Sequence, residues 1–185
     1  MQFTTSLFLA LIGSYVSAAP APSCSVLDIF FTSLVNDFTL SVLIPSQGRP
    51  GTQDSWALLL DPRDPSETVT SVPIISRTRI AQPTFRLVNQ TLVTAEGGFP
   101  AIGSPGITIF PPPLQGWEHG GPGETPLSFG AVYACDATGQ QYIKLVADSG
   151  FALSSVAEGQ RVFIKPQAFE GQAVDVTLRV DGGQG

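Results

Sequence analysis

The stretch "VDVTLRV", residues 174–180, decides the fold class. Val174, Val176, Leu178 and Val180 fall at every second position, with Asp175, Thr177 and Arg179 between them. Successive side chains of an extended chain point to opposite faces, so this pattern predicts a strand with one apolar and one polar face. "FTLSVLI", residues 38–44, repeats the pattern: Phe38, Leu40, Val42 and Ile44 share a face opposite Thr39 and Ser41. Between the two lie "SWALLL", "TVTSVPII", "TFRLV", "TLVTA", "ITIF", "FGAVYAC", "YIKLVA", "FALSSV" and "RVFIK". Most are short, rich in β-branched and aromatic residues, and bounded by Gly, Pro, Asp or Ser. No amphipathic helix stands out, and 16 prolines and 19 glycines interrupt the chain wherever one would grow.

The expectation is therefore an all-β fold, an antiparallel β-sandwich or closed barrel of about ten short strands. A loose echo among "FTLSVL", "FRLVNQTL" and "YIKLVADSGFALS" makes a β-trefoil the alternative. "ADSG" (147–150) and "AEGQ" (157–160) read as tight hairpin turns, and "FRLVNQTLVT" as a hairpin with Asn89-Gln90 at its tip. Long irregular connections are expected over 45–55, 61–68 and 111–126.

Residues 1–18 read as a signal peptide. "SLFLALIGSYVSA" is an apolar run ending in small residues, with Val16-Ser17-Ala18 before Ala19-Pro20. It is shorter than the roughly 20 residues a membrane-spanning helix needs, and no later run reaches that length. The segment before it, "MQFTT", lacks the usual Lys or Arg. Residues 19–185 are then expected to form a single secreted all-β domain without membrane insertion.

Charge is sparse and acidic: 9 Lys plus Arg against 15 Asp plus Glu, a net of −6, with 13% of residues charged. No basic stripe is present to neutralise phosphates, which disfavours nucleic acid as a partner. Cys24 and Cys135 are the two cysteines, and an even pair in an oxidising compartment reads as one disulfide. Asn89-Gln90-Thr91 is the one N-x-S/T sequon, which makes Asn89 a candidate glycosylation site.

The rare residues gather in "IFPPPLQGWEHGG", residues 109–121, which holds the only histidine, His119. One histidine and a paired set of cysteines leave no familiar zinc site, and no cofactor or metal is expected. A Ser-His-acid triad would have to use His119, and no G-x-S-x-G elbow accompanies it. The loop carboxylates Asp54, Asp61, Asp64, Glu67, Glu118 and Glu124 offer material for a glycosidase pair, without a spacing that selects one. The three prolines remove backbone donors and stiffen the chain, so this segment is not expected in a sheet centre. Two readings of the loop stand side by side. In one it is a ligand-binding lip, with Trp117 and Phe110 stacking on a sugar while Gln115, Glu118 and His119 bond its hydroxyls. In the other Trp117 folds back to cover the core.

The leader resembles those of secreted proteins from filamentous fungi. "LVNQTL", "IFPPPLQG" and "VYACDATGQQYIKL" together resemble the C-terminal domain of fungal PIR-type cell-wall mannoproteins. The likeness spans under half of the chain. The Gln-containing repeats, dibasic processing site and additional cysteines of that family are absent, so no attachment residue carries over. The resemblance implies an extracellular, wall-associated, non-catalytic β-domain. The expected function is accordingly a secreted cell-wall or extracellular protein with polysaccharide as its partner. The alternative is a small secreted hydrolase or a host-directed effector.

Overall fold

A computed structural model describes residues 24–46, 48, 51–62, 69–103, 112–121 and 123–182. The described residues form thirteen strands and no helix. In chain order these are β1 (Phe30–Phe31), β2 (Thr39–Pro45), β3 (Gln53–Pro62), β4 (Val69–Ser76), β5 (Phe85–Val88), β6 (Thr91–Thr94) and β7 (Ala101–Gly103). There follow β8 (Gln115–Gly120), β9 (Phe129–Cys135), β10 (Gln141–Ala147), β11 (Gly150–Leu153), β12 (Val162–Lys165) and β13 (Val174–Asp181). Eleven belong to one antiparallel sheet, and β5 and β6 form a separate hairpin.

The opening stretch is the hub. β13 pairs with β2 from Thr177↔Leu43 to Asp181↔Thr39. It also pairs with β10 at Ile143↔Val180 and with β11 at Phe151↔Val176. From β11 the path runs through β12, β8, β4 and β3 to β2, which is already bonded to β13, so it returns to its start. A ring of wholly antiparallel strands needs an even number of members. A direct bridge from Ile74 of β4 to Arg161 supplies that, together with a 2.9 Å bond from Ile75 N–H to Gln160 C=O. The ring β2–β3–β4–β12–β11–β13 is thereby closed by six strands. β8 wedges into the β4–β12 junction, bonded to β4 at Ser71↔His119 and to β12 at Ile164↔Gln115. Closure protects the edges of these six strands, while β9 and β1 extend the sheet from β10 outside the ring.

The alternation in "VDVTLRV" is realised: Val176, Leu178 and Val180 are buried, while Asp175, Thr177 and Arg179 are not. They join a continuous core with Leu40, Val42, Trp56, Leu58, Ile75, Leu145 and Leu153. Phe85, Leu87 and Leu92 enter the same core from the hairpin, each fully buried. Burial of each such side chain is worth about 1.5–3 kcal/mol.

Four readings are refined. The hairpin tip is Asn89-Gln90, both at positive φ (47° and 65°), as a two-residue turn requires. "AEGQ" lies in the β11–β12 connection, with a 3.2 Å bond from Gln160 N–H to Ala157 C=O. "ADSG" is not a hairpin turn. β10 and β11 both run antiparallel to β13, so Asp148-Ser149 is a bulge in one interrupted strand. The trefoil echo does not correspond to equivalent units: its three segments are a ring strand, the separate hairpin and the interrupted strand. "ITIF" and most of the 61–68 connection lie outside the described residues.

Candidate functional site

The rarest residues of that region, Trp117, Glu118 and His119, are inside the protein. Gln115–Gly120 is strand β8, a correction to the irregular connection expected over 111–126. Two of the three prolines do stay out of the sheet: Pro112 and Pro113 are unpaired, and pairing begins two residues later, while Pro111 lies outside the described residues. Trp117 is fully buried, with its ring 5.6 Å from Phe129 and 6.2 Å from Phe151. Its indole N–H has no acceptor among the described residues, so packing holds the ring there. Glu118 accepts a hydrogen bond from Arg161, whose guanidinium carbon lies 5.6 Å above the Phe163 ring. Gln115 is exposed at the start of the strand, and Phe110 lies outside the described residues.

His119 is 1% exposed, between Phe85 (5.6 Å) and Trp117 (6.2 Å). Its Nδ1 lies 3.1 Å from the Phe99 carbonyl, which as an acceptor calls for a proton on that nitrogen. Burial lowers its pKa to about 4, partly opposed by the Phe99 bond, so the ring is neutral at pH 7. The ligand-lip reading of Trp117, Glu118 and His119 is thus corrected to a core strand. The triad form of the hydrolase alternative needs His119 as a base at a cleft, and this imidazole is enclosed.

A cleft opens elsewhere, on the polar side of the hub. It has a volume of about 740 Å³ and is lined by Tyr133, Tyr142, Gln141, Asp136, Arg179 and Asp181, with Gln53 and Thr138 among its further walls. Three local structures shape it. The first is the β9–β10 turn, "DATGQ". Asp136 Oδ1 accepts bonds from Thr138 N–H (2.9 Å), Thr138 Oγ1 (2.6 Å) and Gln140 N–H (2.9 Å). Gly139 supplies the positive φ of 80°. The second is the Cys24–Cys135 disulfide, which pins the N-terminal segment to the residue before this turn, with Cα atoms 6.2 Å apart. The third is the end of β13. Arg179 Nε donates to Asp181 Oδ1 at 2.7 Å, and the buried Ser41 hydroxyl donates to the other oxygen.

Its electrostatics are self-compensating. The turn's hydrogen bonds, Thr138 first, hold the Asp136 carboxyl below its ordinary pKa, and nearby Arg179 assists. Tyr142 is pushed up by burial and by Asp136, so its phenol keeps its proton. Two carboxylates, Asp136 and Asp181, against one guanidinium, Arg179, leave the lining one negative charge. Tyr133 is braced edge-on by Phe31 at 5.3 Å. Such a wall offers aromatic surface and fixed donors and acceptors, with little to attract an anion. Among the described residues no group of three His, Cys, Asp or Glu is placed to hold a metal ion.

The sequence singled out none of the lining residues as a site, although Arg179 lies in "VDVTLRV" and Tyr133, Asp136 and Tyr142 lie in "VYACDATGQQYIKL". Asp136, Tyr142 and Arg179 are separated by turn and strand, and only the β9–β10–β13 register brings them together. The available signal was polar residues on the outward positions of "VDVTLRV" beside an Asp-x-Thr-Gly turn. Compared with protein-family models, with curated proteins and with solved structures, the chain matches none.

Proposed function

We propose that this protein is a secreted, cell-wall-associated β-domain that binds neutral polysaccharide in the cleft between the β9–β10 turn and the end of β13. The observation that carries the reading is the lining itself: two tyrosines beside an Arg–Asp pair and glutamines, in about 740 Å³. Sugars present apolar C–H faces and many hydroxyls. Aromatic rings take the first, and fixed polar forks take the second. That volume lies within the roughly 300–1,000 Å³ usual for ligand sites. The Cys24–Cys135 disulfide suits an oxidising compartment, in keeping with the leader-like residues 1–18. The partial likeness to fungal wall mannoproteins supplies the wall setting.

The test is retention on insoluble β-glucan and chitin. Wild type should be held by at least one matrix and eluted by the matching oligosaccharide. Tyr142→Ala should lose most of that retention, about tenfold in affinity for the loss of one stacking partner. Equal retention of both proteins, or retention of neither, would remove the cleft as a polysaccharide site.

A further inference from the structure

We infer that Asn89 carries an N-linked glycan whose first sugars pack over an outward apolar patch made by Phe30, Val88 and Val35. The glycan is then a built-in cover for this face. The inference rests on the secretion reading, because only an exported chain meets the glycosylation machinery.

Asn89 is presented for modification. It sits exposed at the tip of the β5–β6 hairpin, at a φ of 47°, a left-handed conformation that Asn tolerates better than most residues. Its backbone is anchored: Asn89 N–H donates to Ser33 Oγ at 2.8 Å. Beside it, Gln90 N–H donates to Thr32 C=O at 2.7 Å, and Gln90 C=O accepts from Phe129 N–H at 2.8 Å. A glycan attached here would leave from an anchored stretch of backbone.

Near that point three exposed apolar side chains stand among polar neighbours, which include Ser33, Ser128 and the exposed Arg86–Asp37 pair. Val88 is 49% exposed, Phe30 56% and Val35 92%. Each lies next in the chain, or packed, against a residue bonded to the hairpin. Val88 precedes Asn89 and alternates outward from buried Phe85 and Leu87. Phe30 alternates outward from core-packed Phe31 and lies over Gly130, where a Cβ would fall 2.1 Å from its ring. Gly130 follows Phe129, the residue bonded to Gln90. Val35 follows Leu34, whose N–H bonds Leu87 C=O at 2.9 Å. A tethered sugar needs no second molecule and meets the patch at high effective concentration.

The experiment uses the full chain secreted from a eukaryotic host. Melting temperatures are compared for the intact glycoprotein, for protein trimmed by an endoglycosidase to one N-acetylglucosamine, and for fully deglycosylated protein. Complete removal should lower Tm by roughly 2–4 °C for a domain of this size. Trimming to one sugar should retain most of the gain. In Phe30→Ser and, separately, Val88→Thr, the drop on deglycosylation should shrink to less than half. Because each variant is its own reference, a general loss of stability does not disturb the comparison. An unchanged drop in both variants, or no drop in wild type, overturns the packing. A chain exported with Asn89 unmodified overturns this inference alone; a chain that is not exported overturns the secretion reading with it.

Discussion

Strand β8 and the β9–β10 turn make an instructive pair. The first concentrates a Trp, the single His and a Glu within three consecutive positions; the second reads "DATGQ", as ordinary a turn as the chain contains. In the folded protein the first is core and the second is the rim of the cleft. Chemical rarity marked where the interior needed large and unusual side chains. Chemical opportunity arose where common polar residues were brought together by register. The difference lies in long-range pairing: Tyr142 sits opposite Ala134 across β9–β10, and β10 in turn lies against the strand that carries Arg179.

Perturbing the two regions should give opposite signatures. Trp117→Ala should have the largest effect, about 3–5 kcal/mol off the stability measured by denaturant unfolding, because it empties a site packed by Phe129 and Phe151. A loss under about 1 kcal/mol would mean that the ring is not core. Opening the Cys24–Cys135 disulfide should cost about 2–5 kcal/mol and also weaken ligand retention, since Cys135 abuts the turn at the cleft. Stability lost with binding untouched would separate the disulfide from the site.

His119 gives the region a pH signature. Its folded pKa, about 4, lies below the ordinary 6.5, so between these values the unfolded chain takes up the proton and the folded chain does not. The stabilisation is fully present above pH 6.5, declines as pH falls towards 4, and amounts to roughly 3 kcal/mol in total. Stability curves from pH 7 to 4 should show this decline in wild type and lack it in His119→Gln. Parallel curves would show that other groups drive it. The smallest expected effect is Asp136→Ala. Loss of three turn hydrogen bonds on an exposed loop should lower stability least of these changes while reducing polysaccharide retention severalfold. Full retention would exclude the turn from the site.

How much was legible follows the same division. Fold class could be read from "VDVTLRV" and "FTLSVLI", because a period of two is written locally, and the Asn89-Gln90 tip because turn chemistry is local too. The disulfide needed only compartment logic and an even count. Two local readings misled. Asp148-Ser149 has turn-forming residues but serves as a bulge, since β13 pairs with both flanks. "QGWEHG" has two glycines, an acid and a His, weak strand formers, and becomes a strand because the β4–β12 junction and β7 pair with it. Ring closure and the cleft depend on contacts far apart in the chain, such as Ser41 with Asp181, and no local pattern announces them.

The most direct measurement is amide chemical-shift mapping of the ¹⁵N-labelled protein titrated with soluble β-glucan and chitin oligosaccharides. Saturable shifts are expected over residues 136–142 and 177–181 with one of the two ligands, and none over 115–120 beyond propagated changes at the sheet. Shifts centred on Trp117 to His119, or no shifts with either ligand, would contradict binding at the cleft.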